Sequence, residues 1–158
     1  MLITLFCSCK VEQAPKQYFQ ESPEIEVCKK ALDAYLKQDW TTFRSCYDDT
    51  ARVWRNSWVD SPGIPIDSVI AEIKGPLASS VYYRFEGNLW EMIINNQGYK
   101  WVHFWGQWVG KIAPEAEEVK VPVHMAYGFN GDKISQEMGV WDNLPLYLAQ
   151  QALKKPDK

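Results

Sequence analysis

A chain of 158 residues is long enough to bury one ordinary hydrophobic core without metals or a dense disulfide framework, and too short to suggest a second domain. The formal charge of −3 includes no basic stripe or cluster, so the electrostatic footprint of a nucleic-acid binder is missing and DNA and RNA are not expected partners. Aromatic residues make up 14% of the chain, including 8 Trp and 8 Tyr, side chains that favour places where an apolar body meets a polar partner, as in pockets and interfaces.

At the N-terminus, Met1-Leu-Ile-Thr-Leu-Phe-Cys-Ser-Cys9-Lys10 runs from apolar to small residues to a cysteine followed by polar sequence. This resembles the end of a bacterial lipoprotein signal, with Phe6-Cys7-Ser8-Cys9 as the lipobox and Cys9 as the acylated residue. The resemblance implies a truncated signal over residues 1–8 and a polar tether over 9–22, containing Pro15. It also implies a place in the bacterial cell envelope facing the periplasm or outside, with the membrane reached only through the lipid on Cys9. The basic n-region is missing and the apolar stretch is shorter than the roughly 7–15 residues of a signal core, as a start codon placed too far downstream would leave it. The alternative is a cytoplasmic protein with an apolar first segment. In an exported chain Cys28 and Cys46 could pair, and otherwise they are two small buried hydrophobes. No CxxC repeat or His-rich spacing points to zinc, so neither a metal nor another cofactor is expected.

Ser22-Pro23-Glu24 carries helix-start signals in order: an N-cap serine, proline at the first position and acid in the first turn. Ile25, Cys28, Leu32, Tyr35 and Leu36 follow at helical spacing. Asp39 caps a second, short helix with Trp40, Phe43 and Tyr47 on one face, ended by Asp48-Asp49-Thr50, and Ala51 to Trp58 reads as the first strand. After the Pro62-Gly63 loop, Asp67 caps a third helix that stops near Gly75-Pro76. From Ser80 the period becomes two. Strands are predicted over 81–86, 89–95, 99–112, 119–129 and 133–141, with turns at Gly87-Asn88, Asn96-Gln97-Gly98 and Asn130-Gly131-Asp132. A last helix is predicted from Asn143 to Lys155.

Helices followed by a run of strands is the pattern of an α+β domain, with helices segregated to one face of an antiparallel sheet. A strongly curved sheet over three helices makes a cone with an apolar interior, a natural place for a pocket. The segment Trp101-Val-His-Phe-Trp-Gly-Gln-Trp108 is hydrophobic on both alternating faces: Trp101, His103, Trp105 and Gln107 share one side, and Val102, Phe104, Gly106 and Trp108 the other. Both faces need a cover, and the sequence leaves open which one lines the cone.

Three segments together resemble the nuclear transport factor 2-like superfamily and, within it, the SnoaL-like group. They are Asp39-Trp40 through Tyr47-Asp48-Asp49-Thr-Ala-Arg-Val53, Phe129-Asn-Gly-Asp-Lys-Ile134, and Gly139-Val-Trp-Asp142. The resemblance covers roughly Pro23 to Leu153, within a single domain expected over residues 23–155, and implies the cone-shaped fold. In ketosteroid isomerases on this scaffold a tyrosine and a protonated aspartate form the oxyanion hole and another aspartate moves the proton. Carried over by spacing, these positions fall at Ala31, at Met125, and at Trp54 or Arg55, and none keeps its chemistry. SnoaL-like cyclases pair an aspartate with a histidine, which makes His103 with Asp49 the candidate acid-base pair. His124 and Asp142 are further candidates, with His124 expected to face away from Met125. Each histidine reads equally as a satisfied core or interface side chain, and the acids as caps or turn residues.

The cavity-lining candidates are Tyr35, Tyr47, Trp54, Trp101, Trp105, Met125 and Tyr127. The leading expectation is a domain that binds a small apolar or aromatic molecule. Many relatives pair sheet to sheet, so a homodimer is expected, burying one face of 101–108 while the other lines the cone. A SnoaL-like enzyme using His103 and a protein or glycan interaction module are the alternatives.

Overall fold

The change of period near Ser80 divides the molecule into a helical first part and a sheet that the helices cover. The computed structural model describes residues 17–57 and 60–154. Its helices are α1 (Pro23–Lys37), α2 (Trp40–Ser45), α3 (Ile66–Ser79) and α4 (Leu144–Leu153). Its strands are β1 (Tyr18–Phe19), β2 (Tyr47–Arg55), β3 (Ile64–Pro65), β4 (Tyr82–Ile94), β5 (Lys100–Lys111), β6 (Val119–Asn130) and β7 (Lys133–Trp141), in the order β1-β4-β5-β6-β7-β2-β3. The lipobox and Cys9 lie outside the described residues. Tyr18-Phe19, inside the segment expected as tether, pairs with Ile93 and Met92 at the sheet edge.

The helix starts follow their caps. Ser22 Oγ accepts from the Ile25 amide at 3.2 Å, and Asp39 Oδ1 from that of Thr42 at 3.0 Å. Ile25, Cys28, Ala31 and Ala34 form the buried stripe of α1, and Cys28 and Cys46 are both free thiols, raised above the ordinary range by burial. α3 departs from expectation at both ends. Pro65 stands at its N-cap and Asp67 in the first turn accepts from Arg44 Nε at 2.8 Å instead of capping. The helix continues through Pro76 to Ser79 because Leu77 is buried, and the Pro76 carbonyl accepts from the Ser79 and Ser80 hydroxyls.

The sheet is mixed rather than wholly antiparallel. β2 runs parallel to β7, with Val53 opposite Glu137 and Arg55 opposite Gly139. β2 pairs antiparallel with β3 just after it, but α3 and the later meander lie between β2 and β7, so no hairpin sets their relative direction. The turn expected at Gly87-Asn88 is instead a bulge within one long strand: Glu86 pairs with Gln107 and Leu89 with Trp105, which leaves one extra residue on β4. Gly87 supplies the left-handed backbone at φ +66°. Tyr83 and Phe85 before the bulge and Trp90 and Met92 after it therefore all reach the interior, and the strand bends around the helices. Phe104, Val102, Val53, Ile25 and Ile134 are buried in the resulting core.

Candidate functional site

Alternation along β5 decides which side chains meet inside the cone. Phe104 and Trp108 point inward, and Gly106 and Gly110 make room for them, since a Cβ on either glycine would collide with those rings. On β7, Gly139 does the same for Trp141 and the Met125 sulfur. Small residues beside large rings leave an open cavity of about 510 Å³ under α4. Tyr35 of α1, Ile73 of α3, Trp108, Met125 and Tyr127 of β6, and Leu146 of α4 contribute to its apolar wall.

Two charged side chains line this wall, Arg55 and Glu137. Glu137 is 8% exposed and accepts a hydrogen bond at Oε2 from the Tyr47 hydroxyl. Burial raises its carboxyl above the ordinary range, and the Tyr47 bond and the Arg55 charge pull the other way without cancelling it. The Tyr47 phenol is pushed well above its ordinary value, first by burial and then by Glu137, and Tyr127 behaves likewise. The Tyr127 hydroxyl has no hydrogen-bond partner among the described residues. Burial also pushes up the Tyr35 phenol. Arg55 Nη1 donates to Glu72 Oε2 at 3.0 Å. One pole of an apolar cavity thus carries a carboxyl, hydroxyls and a guanidinium, a set able to bind, polarise or protonate an oxygen of a bound molecule.

Of the residues expected from sequence, Tyr35, Tyr47, Met125 and Tyr127 line the cavity, whereas Trp54, Trp101, Trp105, His103 and Asp49 do not. Trp54 donates Nε1 to the Ser61 carbonyl at 3.0 Å and packs against Gly63, so it fastens the loop after β2. Asp49 is 98% exposed at its side chain and pairs with Arg44 at 3.1 Å. Asp142 Oδ1 accepts from the Leu144 amide at 2.8 Å, at the start of α4.

His103 lies on the opposite face of β5, away from Asp49. Its Nδ1 is 3.1 Å from His124 Nε2, with the two rings 4° from parallel. Trp105 stacks on His124 with ring centroids 3.8 Å apart and donates Nε1 to Glu91 Oε1 at 3.3 Å. Burial lowers both imidazoles, His103 lowers His124 further, and Glu91 opposes these effects. Among the described residues no group of three or more His, Cys, Asp or Glu side chains is placed to hold a metal.

Glu137 was missed by the sequence reading, and Arg55 appeared only as a position carried over from the isomerases. Register from the turn alone would not have found Glu137. The tight hairpin pairs Phe129 with Ile134, which carried forward sets Met138 opposite the inward Met125 and turns Glu137 outward. One extra residue on β7 between Ile134 and Gln136 shifts the pairing, so that Gly139 faces Met125 and Glu137, two residues back, shares the inner face.

No protein-family model matches the chain, and no curated protein matches it significantly. Solved structures do. A protein assigned as a SnoaL-like polyketide cyclase from Shewanella denitrificans aligns with TM-score 0.64 at 13% identity, over 84% of this chain and 99% of that one. IdmH, a candidate polyketide cyclase from Streptomyces antibioticus, aligns with TM-score 0.63 at 10% identity, over 83% and 99%. TerC, co-crystallised with polyporic acid, aligns with TM-score 0.60 at 11% identity, over 82% and 99%. At such identities the likeness carries the fold: a curved mixed sheet of seven strands with four helices, the nuclear transport factor 2-like cone shared with SnoaL-like proteins.

Proposed function

We propose that the protein binds a small, flat, apolar or aromatic molecule in its cone, as an exported domain held to the cell envelope by lipid on Cys9. The observation that carries this reading is the open cavity of about 510 Å³, with mostly apolar walls and with Glu137 and Arg55 among its lining. Its size lies within the range of about 300–1,000 Å³ usual for small-molecule sites. A closed, filled cone would have favoured an interaction module instead. The neighbours named as SnoaL-like cyclases, and TerC with its polyporic acid, lend support, as does the Phe6-Cys7-Ser8-Cys9 sequence for the anchor. The outer face of the sheet, with Trp105 44% exposed and Val140 58%, is proposed to meet a second copy. Native mass spectrometry of the protein purified from its own source reports retained ligand, lipid and oligomer together. The expected species is an acylated dimer carrying a small molecule; an empty, unmodified monomer would sink all three elements.

Acid-base catalysis in the same cavity is the second reading, favoured by the Tyr47–Glu137 hydrogen bond inside it. A carboxyl kept neutral by burial donates a proton or hydrogen bond to a carbonyl oxygen, and once ionised it accepts one from an adjacent carbon. This moves the candidate acid-base group from His103 to Glu137. Under that reading Glu137→Gln abolishes turnover of a substrate and His103→Ala leaves it unchanged; the reverse result would restore His103.

A further inference from the structure

The two charged groups of the cavity are neighbours. Val53 pairs with Glu137 and Arg55 with Gly139 across the parallel β2–β7 ladder, so the guanidinium and the carboxyl project inward from adjacent strands. Gly139 has no side chain to cover the guanidinium from the opposite strand. Arg55 has one side-chain hydrogen-bond partner among the described residues, Glu72, whose side chain is 56% exposed. Such an exposed pair is weak and readily exchanged, and a guanidinium presents five N–H donors in a fixed fork. Burial holds Glu137 above the usual carboxylate range, which favours its neutral form beside the arginine.

A cationic ligand would meet Arg55 with like charge. A neutral one would displace water from the guanidinium and leave it only the weak, outward pair with Glu72 as counter-charge. An anion returns both charge and a planar, two-oxygen match to the fork. We propose that the ligand is a flat apolar acid, its ring frame held between Trp108 and Met125 and its anionic oxygens, carboxylate or acidic enolate, seated on Arg55. The Tyr127 hydroxyl, without a protein partner among the described residues, is a further donor available to those oxygens. This inference rests on the ligand-binding reading above and adds the charge of the ligand to it.

Isothermal titration of the full chain with anthracene-2-carboxylate and anthracene-2-methanol, which share one frame, tests it. The carboxylate is expected to bind about tenfold or more tightly than the alcohol, the usual scale for hydrogen bonds to a charged group. Arg55→Met is expected to remove that advantage and leave the alcohol within about twofold of its wild-type affinity. Glu72→Gln keeps Arg55 and removes its competing anion, so it is expected to tighten the carboxylate a few-fold, a gain that misfolding cannot produce. Equal binding of the two probes to the wild type, or equal weakening of both by Arg55→Met, would overturn the inference while the ligand-binding reading stands. Binding of neither probe to the wild type would overturn both.

Discussion

The two faces of β5 carry similar residues and live in different surroundings. Phe104 and Trp108 on one face look much like His103 and Trp105 on the other in size and aromatic character. The inner pair sits under helices: Phe104 is fully buried, with its ring centroid 4.5 Å from that of Trp90 and 5.4 Å from that of Phe85. Among the described residues no helix covers the outer pair, and Trp105 packs on a histidine at the surface. What a side chain contributes here is set by the element that covers it.

Substitutions at neighbouring positions on the two faces should differ widely in cost. Phe104→Ala should destabilise the fold by about 3–5 kcal/mol, because a fully enclosed ring leaves a cavity that its neighbours fill only in part. Trp105→Ala, one residue along, should cost under about 1 kcal/mol in a monomer, since much of that ring already meets water. Urea denaturation of both variants is the measurement. Comparable losses would mean that the outer face is covered in solution, as the proposed dimer requires, and concentration dependence of the Trp105→Ala effect would identify that cover.

The next contrast concerns charge on the inner face. Glu137 has a folded value raised above the ordinary carboxyl value of 4.5, chiefly by burial. Its contribution to stability is therefore fully present below pH 4.5 and is lost as the pH rises through the raised folded value. Glu137→Gln keeps an acceptor for the Tyr47 hydroxyl and cannot ionise. Its stability should fall less than that of the wild type as the pH is raised from about 4.5 towards neutrality. Parallel pH profiles for the two proteins would show that Glu137 is ionised at no energetic cost in the fold, and would remove the basis for treating it as a neutral acid.

Most of the scaffold was legible because its signals are local. Ser22 and Asp39 cap the helices they precede, and the switch to period two near Ser80 marks where the sheet takes over. Two local signals misled: Gly87-Asn88 bends a strand where it was read as reversing one, and Pro76 is tolerated in the last turn of α3 because burial of Leu77 holds that turn in place. The site was legible only in part. Tyr47 meets Glu137 across 90 residues of chain, and Arg55 is brought to the same wall by a parallel β2–β7 pairing that no turn announces. Histidines beside tryptophans drew the reading towards β5, whereas a single glutamate in a late strand has no local pattern to mark it. Parity from the inward Met125 through the hairpin would have turned it outward, because the extra residue on β7 after Ile134 that shifts the register carries no local mark.

On the outer face the histidine pair makes a weaker, pH-dependent contribution. His103 and His124 share one short N···N contact, which requires one ring to donate and the other to accept. Protonating both rings removes the acceptor and sets two cations side by side, and burial already lowers each imidazole below its ordinary value of 6.5. A base with a lowered folded value contributes stability that is present above the unfolded value and lost as the pH falls through the folded one. Glu91 is the charged group that opposes this loss, since its carboxylate raises both histidines. Stability should therefore decline as the pH is lowered from about 6.5 towards 5, before most carboxylates titrate. His124→Gln should flatten that decline and Glu91→Gln should steepen it. If neither substitution alters the slope between those values, the two rings titrate as independent surface histidines, and the outer face owes nothing to their contact.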